Sequence, residues 1–222
     1  AAQEELIAAL ARLGKPLVTV VIAGRAYCIE KIENASDAVL YAFYPGPMGG
    51  RAVAELLYGS SNPSGRLPVS MPRHVGQIPV CYNYRTSVAL VYCDMTSQPL
   101  HTFGEGRSYT TFTGSDVSVT KEENGISVSF TVENTGNMAG TSVPCLYVRK
   151  RSGGVVARIK ELKAFTRIAL APGEKKEAVF HLTKEELNFV QIPGKPEVIC
   201  HEYELMLEDG AEKWWTGNVT EM

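Results

Sequence analysis

The side chains best equipped for chemistry are carboxylates, because paired Asp and Glu perform general acid and base work. Glu4 and Glu5 fall on the polar side of an amphipathic segment, Glu30 and Glu33 flank a crossover, and Asp37 stands at an element entry. Asp94 and Glu105 lie in an aperiodic stretch, and Glu122-Glu123 sits in a hairpin turn. No pair has a spacing that forces two carboxyl groups together, so each reads as solvated surface. No catalytic role is assigned to any of them.

Other site chemistries fare no better. The five cysteines, Cys28, Cys81, Cys93, Cys145 and Cys200, are odd in number, scattered and without a Cys-x-x-Cys pair. They read as free, mostly buried thiols of a reducing compartment, which leans towards the cytoplasm. His74, His101, His181 and His201 show no ligand spacing with them, so neither a metal nor a cofactor is expected. Cys200-His201 are adjacent in a predicted strand and point to opposite faces. Gly46 to Gly50 before a helix could cradle an anion, but the Gly-Lys-Ser/Thr ending of a phosphate loop is missing, which leaves a tight turn. There is no Gly-x-Ser-x-Gly nucleophile elbow, and Ser64 is turn chemistry. Trp214-Trp215 could stack on sugar, yet in a strand the two rings point opposite ways, which puts at least one in the core. No residue is assigned to substrate binding.

The elements that would position such groups change character along the chain. It has 222 residues, 45% hydrophobic and 21% charged, with a formal charge of −2. That is a soluble globular composition without the clustered Lys and Arg that nucleic acid or anionic membrane selects. The longest apolar run, Leu17 to Ala23, is far short of a membrane span. Leu6, Ile7, Leu10 and Leu13 recur at helical spacing over Gln3 to Leu13. Leu17 to Ile22 and Ala38 to Tyr44 predict parallel strands buried on both faces. Between them, Cys28 to Asn34 is a short helix or an irregular crossover. A helix over Arg51 to Tyr58 would bury Ala52, Val53, Leu56 and Leu57, and Val69-Ser70-Met71 would add a short strand.

The C-terminal half switches to period two. Ile126, Val128, Phe130 and Val132 alternate with polar residues. Val143 to Val148, Glu161 to Leu170, Lys175 to Leu182 and Ile199 to Leu207 are further strands, and a loop at Ser152-Gly153-Gly154 separates the first two of these. Asn134 to Asn137 and Ala171 to Glu174 carry turn chemistry. Thr183 with Glu186 starts a capped helical turn. The expected fold is therefore a partial α/β unit, mostly parallel and flanked by helices, followed by an all-β sandwich. Boundaries are expected at 1–78 for the α/β part, 79–113 for an aromatic-rich linker and 114–222 for the sandwich.

The most distinctive segment is Gly59 to Pro72, with three prolines and two glycines in fourteen residues, a density that specifies one loop path. Asn62-Pro63-Ser64-Gly65-Arg66-Leu67-Pro68-Val69 within it resembles a signature of glycoside hydrolase family 3. So do six other segments in the family's order. They are Gly14-Lys15-Pro16-Leu17-Val18, Phe43 to Ala52, Val75-Gly76-Gln77-Ile78-Pro79, Phe103-Gly104 with Ser108 to Phe112, Lys160 to Phe165, and Leu170 to Glu174. Glu105 and Arg107 stand where the family usually has an aromatic and an aliphatic residue, and Arg85 to Cys93 is shorter than usual.

The resemblance implies the later part of an α/β-sandwich domain plus a fibronectin-III-like domain, from a retaining enzyme that removes β-linked glucose or xylose. It implies that the nucleophile Asp belongs to an N-terminal (β/α)8 barrel of about 250 residues, absent from this chain. The acid/base Glu would belong to a loop upstream of the first helix here. The fragment itself is then expected to be inactive, with a role in lining and bracing that barrel's site. Ala1-Ala2-Gln3 lacks an initiator Met and is not expected to be the natural start. An incomplete sheet would leave an unpaired edge and drive self-association. A non-catalytic carbohydrate-binding or scaffold module is the alternative. A free-standing flavodoxin-like domain has too few strands.

Overall fold

The computed structural model describes residues 2–85, 92–153, 156–189, 193 and 199–220. The chain divides into two compact units. The first comprises Ala1–Ser61, Val69–Val80 and Val91–Phe103, and the second Asn62–Pro68, Cys81–Leu90 and Gly104–Met222.

In the first unit, β1 (Val18–Val21) and β2 (Ala38–Tyr41) pair in parallel, Val18 opposite Ala38 and Val21 opposite Tyr41. A parallel pair needs a crossover, and α2 (Glu30–Ala35) supplies it. The Asp37 carboxylate accepts the Leu17 N–H at 2.7 Å, and Thr19 and Ser36 share a 2.7 Å hydroxyl bond, fixing the register at the strand starts. Helices α1 (Ala2–Ala11) and α3 (Gly49–Leu57) flank the pair in sequence.

Burial here departs from expectation. Val18 and Ile22 are 49% and 62% exposed, and Leu6, Leu10 and Leu13 on the α1 stripe are all exposed. On α3, Ala52 and Leu57 are exposed, and Val53 and Leu56 only half-buried. The periodicity is right, but two strands offer too little surface to cover these faces. Val69-Ser70-Met71 forms no strand. Met71 makes a single bridge to His101 and is 1% exposed, since the prolines around it stop the ladder. Phe43, just past β2, holds φ +50, which costs a non-glycine residue about 1–3 kcal/mol.

The second unit is the sandwich. One sheet runs β3-β4-β9 (Phe112–Glu122, Gly125–Asn134, Lys175–Thr183). The other runs β11-β10-β6-β7 (Glu212–Thr220, Glu202–Asp209, Pro144–Lys150, Glu161–Phe165). A short pair joins β5 (Gly140–Ser142) and β8 (Ile168–Leu170). Ile126, Val128, Phe130 and Val132 of β4 are all buried to 1% exposure or less, as their alternation requires, against Leu146 and Val148 of β6 and Leu205 and Leu207 of β10.

The Glu161 to Leu170 segment is two strands, not one: β7 and β8 join different sheets, and Phe165 at the end of β7 is 63% exposed. β6 is buried on both faces. Tyr82 covers its outer side, ring to ring with Tyr147 at 6.3 Å, while its hydroxyl accepts the Leu162 N–H. The capped turn is as read: α4 (Lys184–Leu187) carries the full Thr183–Glu186 capping box. Gly154 and residues 86–91 of the Arg85 to Cys93 segment lie outside the described residues.

Candidate functional site

The Asn62–Pro68 loop is held at several points, by side chains of its motif and by its own backbone. Pro63 and Pro68 fix φ, which presents the side chains between them in one arrangement. The Asn62 amide donates to the Ala139 carbonyl at 3.1 Å, and its Oδ1 accepts from the Ser108 hydroxyl at 2.8 Å and the Tyr109 N–H at 2.9 Å. The Ser64 hydroxyl accepts from Arg167, so it is a turn residue with a structural partner. The Leu67 N–H donates to Glu105 O, and Leu67 O accepts from the Gly104 N–H, each at 2.8 Å.

Arg66 makes the central contact. Its Nε and Nη2 both donate to Asp209 Oδ1, at 3.0 and 2.6 Å. Asp209 Oδ2 accepts the Ser142 hydroxyl at 2.6 Å and the Val143 N–H at 3.1 Å. The two side chains are 10% and 4% exposed. A carboxylate that accepts four hydrogen bonds, two of them from a guanidinium, has no lone pair free to attack a substrate, so this is a brace rather than a nucleophile. Asp209 went unnoticed in the sequence because Glu208-Asp209-Gly210 follows the predicted strand and reads there as turn chemistry, with no local sign of burial. Beside it, burial first, then the Asp209 charge, pushes the Cys145 thiol up to about 11.

In the first unit Glu30 and Glu33 lie one helical turn apart on α2. Glu30 pairs with Arg73, and Glu33 accepts from or pairs with His101 Nε2 at 3.0 Å. They are partly exposed braces, not freely solvated surface as the sequence suggested. Gln77 of the Val75–Pro79 motif is 3% exposed and fully used: it accepts the Arg73 N–H and donates to the Thr96 and Gln98 carbonyls. Of the remaining carboxylates, Glu4 reaches Lys31 at 3.8 Å, Glu5 and Asp94 are exposed, and Glu122 bonds Ser127 beside His181.

The structure separates rather than gathers the remaining candidates. All five cysteines are free, but only Cys145 and Cys200 are buried; Cys81 and Cys93 are exposed, contrary to a mostly buried set. Cys200 is buried and His201 exposed, both just ahead of β10 rather than within it. Among the described residues no three His, Cys, Asp or Glu side chains come close enough to hold a metal. At Gly46 to Gly50 the Pro45 ring fills the space a Cβ on Gly49 would need, which makes a tight turn. The tryptophans break the alternation expected of them. A bulge between Leu207 and Glu208 leaves Trp214 without a partner in the register, and both rings pack on the core, Trp214 across Gly114.

These features coincide with known proteins. Residues 1–109 match the Glycosyl hydrolase family 3 C-terminal domain, and residues 142–211 the Fibronectin type III-like domain. The chain is 40% identical over 202 residues to a periplasmic beta-glucosidase of Salmonella typhimurium, covering 84% of this chain and 26% of that protein. It is 36% identical to a putative beta-xylosidase of Formosa agariphila, over 93% of this chain and 28% of that protein. A crystal structure of a beta-glucosidase from Listeria innocua in complex with gluconolactone superposes with a TM-score of 0.92 at 32% identity, over 99% of this chain and 32% of that one. The chain thus spans about a quarter to a third of the length of these relatives. With the motif series, the α/β unit and the sandwich all matched, the chain belongs to glycoside hydrolase family 3, as its C-terminal α/β domain followed by a fibronectin-III-like domain.

Proposed function

We propose that this chain is the C-terminal portion of a retaining β-glycosidase acting on terminal β-linked glucose or xylose. The observation that carries this is the superposition of 99% of the chain on a β-glucosidase at a TM-score of 0.92. Retention requires two carboxyl groups about 5–5.5 Å apart. Neither comes from this chain in our reading: the nucleophile belongs to the barrel and the acid/base to a loop before α1. What the chain supplies is rigidity. The Arg66–Asp209 brace and the Asn62 contacts fix the signature loop, and the α2 pairs to Arg73 and His101 fix the first unit.

The half-exposed faces of β1 and α1 support a second element of the proposal, that the isolated chain self-associates. The functional test compares hydrolysis of nitrophenyl β-glucoside and β-xyloside by the chain alone and by the chain joined to the whole upstream part of a family 3 enzyme, the barrel together with the segment that carries the acid/base loop. The chain alone is expected to be inactive and the joined protein active. Turnover by the chain alone, lost on changing one of its own carboxylates, would overturn the assignment.

A further inference from the structure

The carboxyl ends of β1 and β2 carry an aromatic cluster that none of the contacts above uses. β1 leads into Gly24-Arg25-Ala26-Tyr27, and β2 into Phe43-Tyr44-Pro45. Tyr41 donates its hydroxyl to the Arg25 carbonyl at 2.6 Å, which fixes the first of these loops. Burial raises the Tyr41 pKa, so the phenol remains a donor. The Arg25 guanidinium then lies over the Tyr27 ring, 5.0 Å from its centroid. Tyr41 and Phe43 rings meet at 4.9 Å, and Phe43 takes the left-handed backbone that sends the chain on to Tyr44. The Tyr44 ring lies on Gly24, where a Cβ would come within 2.5 Å of it. Yet Tyr44 is 78% exposed and Tyr27 46%.

The Tyr44 ring is thus held on one side by a glycine and the Tyr27 ring on one side by a guanidinium, while both side chains remain substantially exposed. Ligands of parallel α/β sheets bind outside the carboxyl ends of the strands, and backbone strain gathers at such places. An aromatic face with a hydroxyl rim and an adjacent guanidinium suits the apolar face and hydroxyls of a pyranose.

We infer that Arg25, Tyr27 and Tyr44 form a pyranose-binding subsite, a reading that rests on the glycosidase assignment above. Its first test is NMR titration of the 222-residue chain with methyl β-glucoside and laminaribiose, following the tyrosine ring resonances. Saturable millimolar shifts centred on Tyr44 and Tyr27 are expected. Tyr44→Ala should weaken them about threefold to tenfold, the value of one aromatic contact. Tyr44→Phe should keep affinity within about twofold, since the stacking face remains. Phe165→Ala, an exposed aromatic elsewhere, should change nothing. Absence of shifts, or shifts that ignore Tyr44→Ala, overturns the subsite.

The second test uses the chain joined to the same upstream part, barrel and acid/base segment together. Tyr44→Ala should raise KM for a disaccharide about threefold to tenfold and leave kcat on an aryl glucoside unchanged. An unchanged KM in an active parent overturns the subsite alone. An inactive parent overturns the glycosidase reading, and the titration still decides the subsite.

Discussion

Arg66→Met isolates the strongest brace in the chain. The substitution keeps the apolar stem and removes the charge, leaving the Asp209 carboxylate 4% exposed with only the Ser142 and Val143 donors. Stranding one member of a buried pair costs about 3–5 kcal/mol. A domain holds about 5–15 kcal/mol in all, so the sandwich should lose about a fifth of its stability or more. Both tryptophans, Trp214 and Trp215, lie in the second unit, so tryptophan fluorescence in a urea titration reports that unit alone. With a slope of about 1–3 kcal/mol per molar urea, the midpoint should fall by about 2 M. The double variant Arg66→Met/Asp209→Asn should be no less stable than Arg66→Met to within about 1 kcal/mol, because the stranded charge is gone while an acceptor for Ser142 and Val143 remains. A loss below about 1 kcal/mol in Arg66→Met, or costs that simply add in the double variant, would refute the claim that the pair braces the loop.

Three more outcomes follow from the same structure. Burial would raise the Glu161 carboxyl, but the Lys150 and Lys163 charges outweigh it, and its pKa lies below the ordinary 4.5. Its stabilisation is therefore present above pH 4.5 and lost as the pH falls below it; Glu161→Gln should flatten that acid limb in pH-dependent melting, and an unchanged limb counts against the pairing. Cys81 and Cys93 should react with a thiol reagent in the folded chain, whereas Cys145, with its pKa pushed up to about 11, and buried Cys200 should react only in denaturant; equal rates would contradict their burial. Sedimentation velocity of the chain alone should show concentration-dependent dimers or larger species, and a strict monomer would remove the self-association proposal.

Much of the architecture is legible because it is local. The alternation over Ile126 to Val132 selects the face that β4 buries, and Thr183 and Glu186 close a capping box three residues apart. Reading fails where a partner is distant or a ladder is interrupted. Nothing near Phe165 announces that β7 and β8 go to different sheets, and the bulge that takes both tryptophans to the core is set by the pairing of β10 with β11.

The amino-acid sequence by itself determined the two kinds of unit, the turn-rich loop and the family, since periodicity and turn residues act over a few positions. Only the tertiary structure decided what the loop's arginine is for. Arg66 and Asp209 stand 143 residues apart, and no local pattern couples them. Their meeting is imposed by the cost of burying either charge alone. The same holds for Tyr44, whose ring reads as strand core in the sequence and lies open at the end of the sheet, resting on a glycine 20 residues earlier that has no side chain to displace it.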